Sequence, residues 1–120
     1  MLTTLAMVLA GLMGAAGVML AAVAAHTAPG AGLDGASHML LFHALAVLGA
    51  TALAGAGQVW RGAANLAALG WIVGAVLFAG DIALRTFVGH RLFPMAAPTG
   101  GTFMIAGWLV FALAAAVPRR

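Results

Sequence analysis

Hydrophobic and polar positions fall in blocks along this chain: four long apolar stretches are separated by short breaks rich in glycine, proline and ionisable residues. The first stretch runs from Leu2 to Ala25 and closes at His26. The second runs from about His38 to Gly57 and closes at Gln58, Trp60 and Arg61. The third covers about Ala63 to Phe87, and the fourth about Thr102 to Val117, before Pro118, Arg119 and Arg120. A helix rising about 1.5 Å per residue needs some 20 apolar residues to cross a hydrocarbon core of about 30 Å, and every stretch is close to that length or longer. In lipid the backbone must satisfy its own polar groups, so such runs are read as helices. The breaks set the boundaries. Pro29, Gly30, Gly32 and Gly35 interrupt the first two stretches, with Ser37 as the expected N-cap of the second helix. Thr99, ahead of Gly100 and Gly101, is the expected cap of the fourth. The pattern predicts helices over about 2–26, 37–58, 63–87 and 99–117. They form one all-α domain, a four-helix transmembrane bundle running up-down-up-down, with an antiparallel hairpin between the second and third helices.

Composition sharpens this picture. The chain is 65% hydrophobic and 6% charged, with a mean hydropathy of +1.16, too few charges for a water-facing surface. Its net charge of +3 comes from scattered or terminal arginines, without the basic stripe and interleaved aromatics that would suit nucleic acid. The absence of cysteine removes disulfides, thiolate metal sites and thiol nucleophiles. Seventeen glycines point to close helix packing, and Gly70 and Gly74 form a small-xxx-small pair on the third stretch. A secretory signal peptide is the rival reading of the first stretch, through patterns such as Ala22-Val23-Ala24. Its beginning lacks Lys and Arg and its apolar run exceeds the usual length, which favours a membrane span.

Four spans put both termini on one side, together with the Arg61 turn. Arg61, Arg119 and Arg120 outnumber Arg85 and Arg91 on the opposite side, so the positive-inside rule favours cytoplasmic termini. His26, Asp34, His38, His43, Asp81, Arg85, His90 and Arg91 then gather in or near the outer half. Near-interface charges that snorkel to water would give the same distribution.

Asp81 and Arg85 are four residues apart, share a helix face and can pair, with the acid in the favourable N-terminal position. Asp81 falls about 9 Å from the centre of its span. It suits either a structural pair or a proton-coupled or ligand-contacting acid. His43 lies about two turns into its helix and can hydrogen-bond across helices, relay protons or ligate haem. A bis-histidine haem would need His43 with His26 or His90, because His38 and His43 do not share a face. Ligand or proton-relay candidates are therefore Asp81, Arg85, His43, His26 and Arg91, with no catalytic residue, metal set or cofactor expected. Met1, Met7, Met13 and Met19 recur every six residues, which rotates around a helix and reads as lipid-facing filler. Trp60, Trp71 and Trp108 read as packing or interfacial anchors. No nucleophile elbow, phosphate loop, dinucleotide fingerprint or H-E-x-x-H pattern occurs.

The order G-x-x-x-A-A-x-A-A-H at Gly17 to His26, F-H-A-L-A at Phe42 to Ala46, F-A-G-D at Phe78 to Asp81 and A-P-T-G-G-x-x-x-x-A-G-W at Ala97 to Trp108 resembles the YgdD-like small inner-membrane proteins of unknown function. The likeness extends over nearly the whole chain. It implies a bacterial tetraspan protein without an established activity, and members of that family often carry serine where Asp81 stands. The leading functional expectation is a non-enzymatic membrane protein, either an assembly factor or a bundle that binds lipid or a small ligand. It would partner the lipid bilayer, a second copy or other membrane proteins, and no nucleic acid. The alternative is an oligomeric proton-coupled transporter or channel using Asp81. A redox subunit binding haem or quinone is a third class.

Overall fold

The computed structural model describes residues 1–27 and 29–117. Arg119 and Arg120, on which part of the topology expectation rests, lie outside the described residues. Among the described residues there are four helices: α1 (Leu2–His26), α2 (Leu33–Gly55), α3 (Arg61–Phe87) and α4 (Ala96–Ala116). Each is long and apolar enough to cross a membrane, and together they make a bundle 47 Å long.

The expected bounds of α1 and the expected end of α3 at Phe87 match the structure, and the other boundaries shift. α2 begins at Leu33, ahead of the expected start at Ser37. Asp34 thus sits in the first turn, where a carboxylate suits the positive end of the helix dipole. Ser37 is no cap; its buried Oγ–H donates to the Gly17 carbonyl on α1 at 2.8 Å. α2 also stops at Gly55, short of Gln58. Gly57 takes φ 70, and the N–H of Gln58 reaches back to Leu53 while that of Gly57 reaches Ala54, at 2.9 and 3.2 Å. This left-handed turn satisfies carbonyls that the helix end would otherwise orphan. α3 starts at Arg61 rather than Ala63, and the Trp60 N–H just ahead of it donates to the Ala114 carbonyl near the end of α4 at 2.9 Å.

α4 begins at Ala96, ahead of the expected cap Thr99. Pro98 is tolerated there because the first turn of a helix has no intrahelical acceptor for its N–H groups. Thr99 lies inside the helix, and the residue at the cap position is Met95, a non-glycine at φ 71.

α2 and α3 form the centre. α1 packs mainly against α2, and α4 against α3, while α1 and α3 meet only lightly. The flanking helices are correspondingly bare: 17% of the apolar window of α1 is buried against 39% of that of α3. Burying apolar surface gains little in lipid, so contact depends on how closely backbones approach. The α3–α4 seam takes this furthest. A Cβ on Gly74 would lie 2.6 Å from the Gly100 carbonyl oxygen, and one on Gly100 would lie 2.5 Å from that of Gly74. Gly107 admits the edge of the Trp71 ring in the same seam, 2.7 Å from where a Cβ would stand. Met13, expected to face lipid, is buried in the core against this centre, whereas Met1, Met7 and Met19 are exposed.

Candidate functional site

The ionisable residues divide into two groups. The first is built on the last two turns of α3 and the loop that follows. Asp81 is fully buried. Its Oδ1 accepts the backbone N–H of Leu92 at 3.1 Å, and its Oδ2 lies 3.4 Å from Arg85 Nε. Oδ2 has no hydrogen-bond partner among the described residues, so the arginine holds it by charge and proximity. The pair follows from the four-residue spacing. The Leu92 contact, eleven residues along the chain, does not, and it ties the α3–α4 loop down onto α3. Asp81 thus occupies a sealed position, whereas the Arg85 side chain is 41% exposed.

The second group lies deeper, between α2 and α4. His43 is buried, with its Nδ1 2.7 Å from the Met39 carbonyl oxygen one turn back. Its Nε2 accepts the Trp108 Nε1–H at 3.1 Å. Together these contacts describe a neutral ring with its proton on Nδ1 and its lone pair on Nε2. Trp108 meets the ring edge-on at 6.0 Å and also lies 4.5 Å from Trp71, centroid to centroid. Trp71 is buried, and its Nε1–H has no hydrogen-bond partner among the described residues. Axial ligation by His43 would require breaking its bond to Trp108 or to Met39.

The remaining candidates stand apart. His26 ends α1 and is exposed. Arg91 is exposed on the α3–α4 loop, where its carbonyl accepts His90 Nδ1–H at 3.0 Å. His38 is exposed and stacks on Phe42 at 5.6 Å. Among the described residues no group of three potential metal-ligating side chains comes together.

Trp108 is the polar partner that sequence reasoning missed. α2 and α4 both start at the same end of the bundle, with His43 about 15 Å and Trp108 about 18 Å along their helices. Matching these depths was the signal available.

Around these groups the lightly packed helices leave open grooves. One between α1 and α3 has a volume of about 360 Å³ and is lined by apolar residues including Leu12, Leu20, Ile72, Val76 and Ala83. A second, about 370 Å³, extends the same seam toward Leu5, Gly62 and Leu66. A third, about 760 Å³, lies between α2 and α4 and is lined by residues including Phe42, His43, Phe78, Met104, Ile105 and Trp108. At the end of the bundle a cleft of about 510 Å³ is bordered by Gly30, Ala31, Gly32, Ile82, Arg85 and Thr86.

Residues 13–101 match a family described as a protein of unknown function (DUF423). The chain belongs to that family. The match takes in His26, His43, Asp81, Arg85 and Arg91 and ends before Trp108, so the partner of His43 lies beyond it. No curated protein and no solved structure matches the chain.

Proposed function

We propose that this multi-pass membrane protein is a non-enzymatic bundle of the bacterial inner membrane, YgdD-like in kind, that holds a lipid or another small apolar ligand between its helices. The observation that carries this reading is the loose α1–α3 seam, where long apolar side chains line a groove instead of closing it. The sealed environment of Asp81, fixed by Leu92 and Arg85, supports a structural role for the acid. The arginine distribution along the sequence supports cytoplasmic termini. A periplasm-active reporter fused after Arg120 is expected to be silent, and one inserted between Gly30 and Gly35 to be active; the opposite pattern inverts the orientation. The ligand reading is tested by quantifying lipid that copurifies through exhaustive detergent exchange. A stoichiometric lipid supports it, and complete delipidation without loss of fold contradicts it.

A second reading, an oligomeric proton-coupled transporter or channel, draws on the full burial of the Asp81 carboxylate and the missing hydrogen-bond donor at its Oδ2. It requires proton-driven flux in liposomes that Asp81→Asn abolishes while the fold persists. An absence of flux across candidate substrates with a proton gradient imposed leaves the binding reading standing.

A further inference from the structure

The α2–α4 groove, at about 760 Å³, has about twice the volume of either groove along α1 and falls in the size range of small-molecule sites. α2 and α4 pack against their other neighbours rather than against each other. Each lends the groove a stripe of side chains at helical spacing, including Met39, Phe42 and His43 from α2 and Gly101, Met104 and Trp108 from α4. Phe78 adds a ring from α3. The α1–α3 groove is lined by aliphatic side chains and Met13, whereas this one brings together three aromatic rings, two thioethers and an imidazole. An acyl chain gains nothing here that lipid tails do not already give it. An aromatic ligand does gain, through edge and face contacts with the rings and through the sulfur atoms.

His43 stands about 15 Å along α2, near the middle of a hydrocarbon core of about 30 Å, where a polar ring marks a candidate site. Its Nδ1–H is committed to the Met39 carbonyl at 2.7 Å, which leaves Nε2 as an acceptor. The donor it faces, Trp108 Nε1–H at 3.1 Å, comes from the other helix lining the groove. Trp108 is 48% exposed, so its ring can turn outward at little cost in packing. Once parted, the two side chains present an acceptor and a donor to whatever lies between them. A hydroxyl satisfies both, donating to Nε2 and accepting from Nε1–H, so that two hydrogen bonds replace one. A carbonyl or ether oxygen could only accept, and would leave the histidine lone pair bare.

We infer that this groove binds a membrane-soluble phenol, an aromatic ring bearing a hydroxyl and an apolar tail, with the hydroxyl bridging His43 Nε2 and Trp108 Nε1. Membrane quinols have this form. The site is separate from the α1–α3 groove and does not depend on a lipid bound there. Its test follows the Trp108 indole N–H resonance of protein in nanodiscs, assigned by its loss in Trp108→Phe. The probes are para-octylphenol, para-octylanisole and octylbenzene, compared at equal concentration in the bilayer. The anisole keeps the ring and the acceptor oxygen but lacks the proton. Gly101→Leu fills the groove from a position where a Cβ meets nothing within 4 Å, and His43→Phe removes the acceptor.

Para-octylphenol is expected to shift the resonance saturably and to bind the wild type at least about 5-fold more tightly than the anisole or octylbenzene, the scale of one net hydrogen bond. His43→Phe should erase that preference, and Gly101→Leu should weaken all three probes. Equal affinity of the wild type for phenol and anisole overturns the hydroxyl bridge, whatever the variants do. A phenol preference that survives His43→Phe overturns His43 as the recipient of the proton donor, and binding unchanged by Gly101→Leu overturns the groove as its place. No saturable shift with any probe overturns the site as a whole, while the α1–α3 groove keeps its own test through copurifying lipid.

Discussion

Helix α3 meets α4 along one face and α1 along another, and the two seams are built on opposite terms. Toward α4, glycines let the backbones touch, and Gly74 and Gly100 leave no room for a methyl group on either side. Toward α1, leucine, isoleucine and valine side chains keep the helices apart and border an open groove. In water the second seam would be a defect. In lipid, where apolar surface is already solvated by acyl chains, it costs little and provides a place for a chain to lie. The contrast locates cohesion on one side of the helix and, on the proposed reading, ligand capacity on the other.

The largest effect should come from breaking the tight seam. Gly100→Leu forces its side chain into the backbone of α3 and is expected to cost at least about 3 kcal/mol, read as a loss of the folded monomer on heating in detergent. Ala83→Leu, at a position lining the open groove toward α1, should be close to neutral. Comparable losses from the two changes would erase the distinction between the seams.

Next in size is the charged pair beyond the groove. Arg85→Ala leaves a fully buried carboxylate without its cation and is expected to lower stability by about 3 kcal/mol. Asp81→Asn keeps an oxygen for the Leu92 N–H and lets the half-exposed arginine reach water, so its cost should be smaller. The double change Asp81→Asn/Arg85→Ala should recover part of the Arg85→Ala loss. Equal single losses with no recovery in thermal unfolding would reject the pairing.

The smallest effect concerns the polar contact between α2 and α4. Trp108→Phe removes the donor to His43 Nε2 and should cost about 1 kcal/mol, the usual scale for a hydrogen bond between membrane helices. Nitrogen NMR of His43 in the wild type should show a neutral ring protonated at Nδ1; the Nε2–H tautomer would contradict the observed geometry.

The four spans were legible because apolar runs of this length have few alternatives in lipid. The Asp81–Arg85 pair was legible too, since i and i+4 positions face one another on any helix. The starts of α2 and α4 were misplaced because Gly35 and Pro98 read as breakers, yet both fit within a first turn that asks little of its N–H groups. Ser37 looked like a cap because its partner, the Gly17 carbonyl, lies on another helix. Met13, with the same side chain as its exposed neighbours in the repeat, is buried by the close approach of α2 and α3. Leu92 was invisible, and Trp108 legible only through its matching depth, for the same reason: their contacts depend on how loops and helices register in space, which a local pattern does not carry.

The central claim is that the open face of α3 holds an ordered lipid chain. Electron paramagnetic resonance of phosphatidylglycerol, spin-labelled midway along one chain and reconstituted with the protein in nanodiscs, tests it directly. A motionally restricted component is expected in the wild type, and Ala83→Phe should largely remove it. A restricted fraction unchanged by Ala83→Phe, or a spectrum no different from that of protein-free lipid, would contradict it.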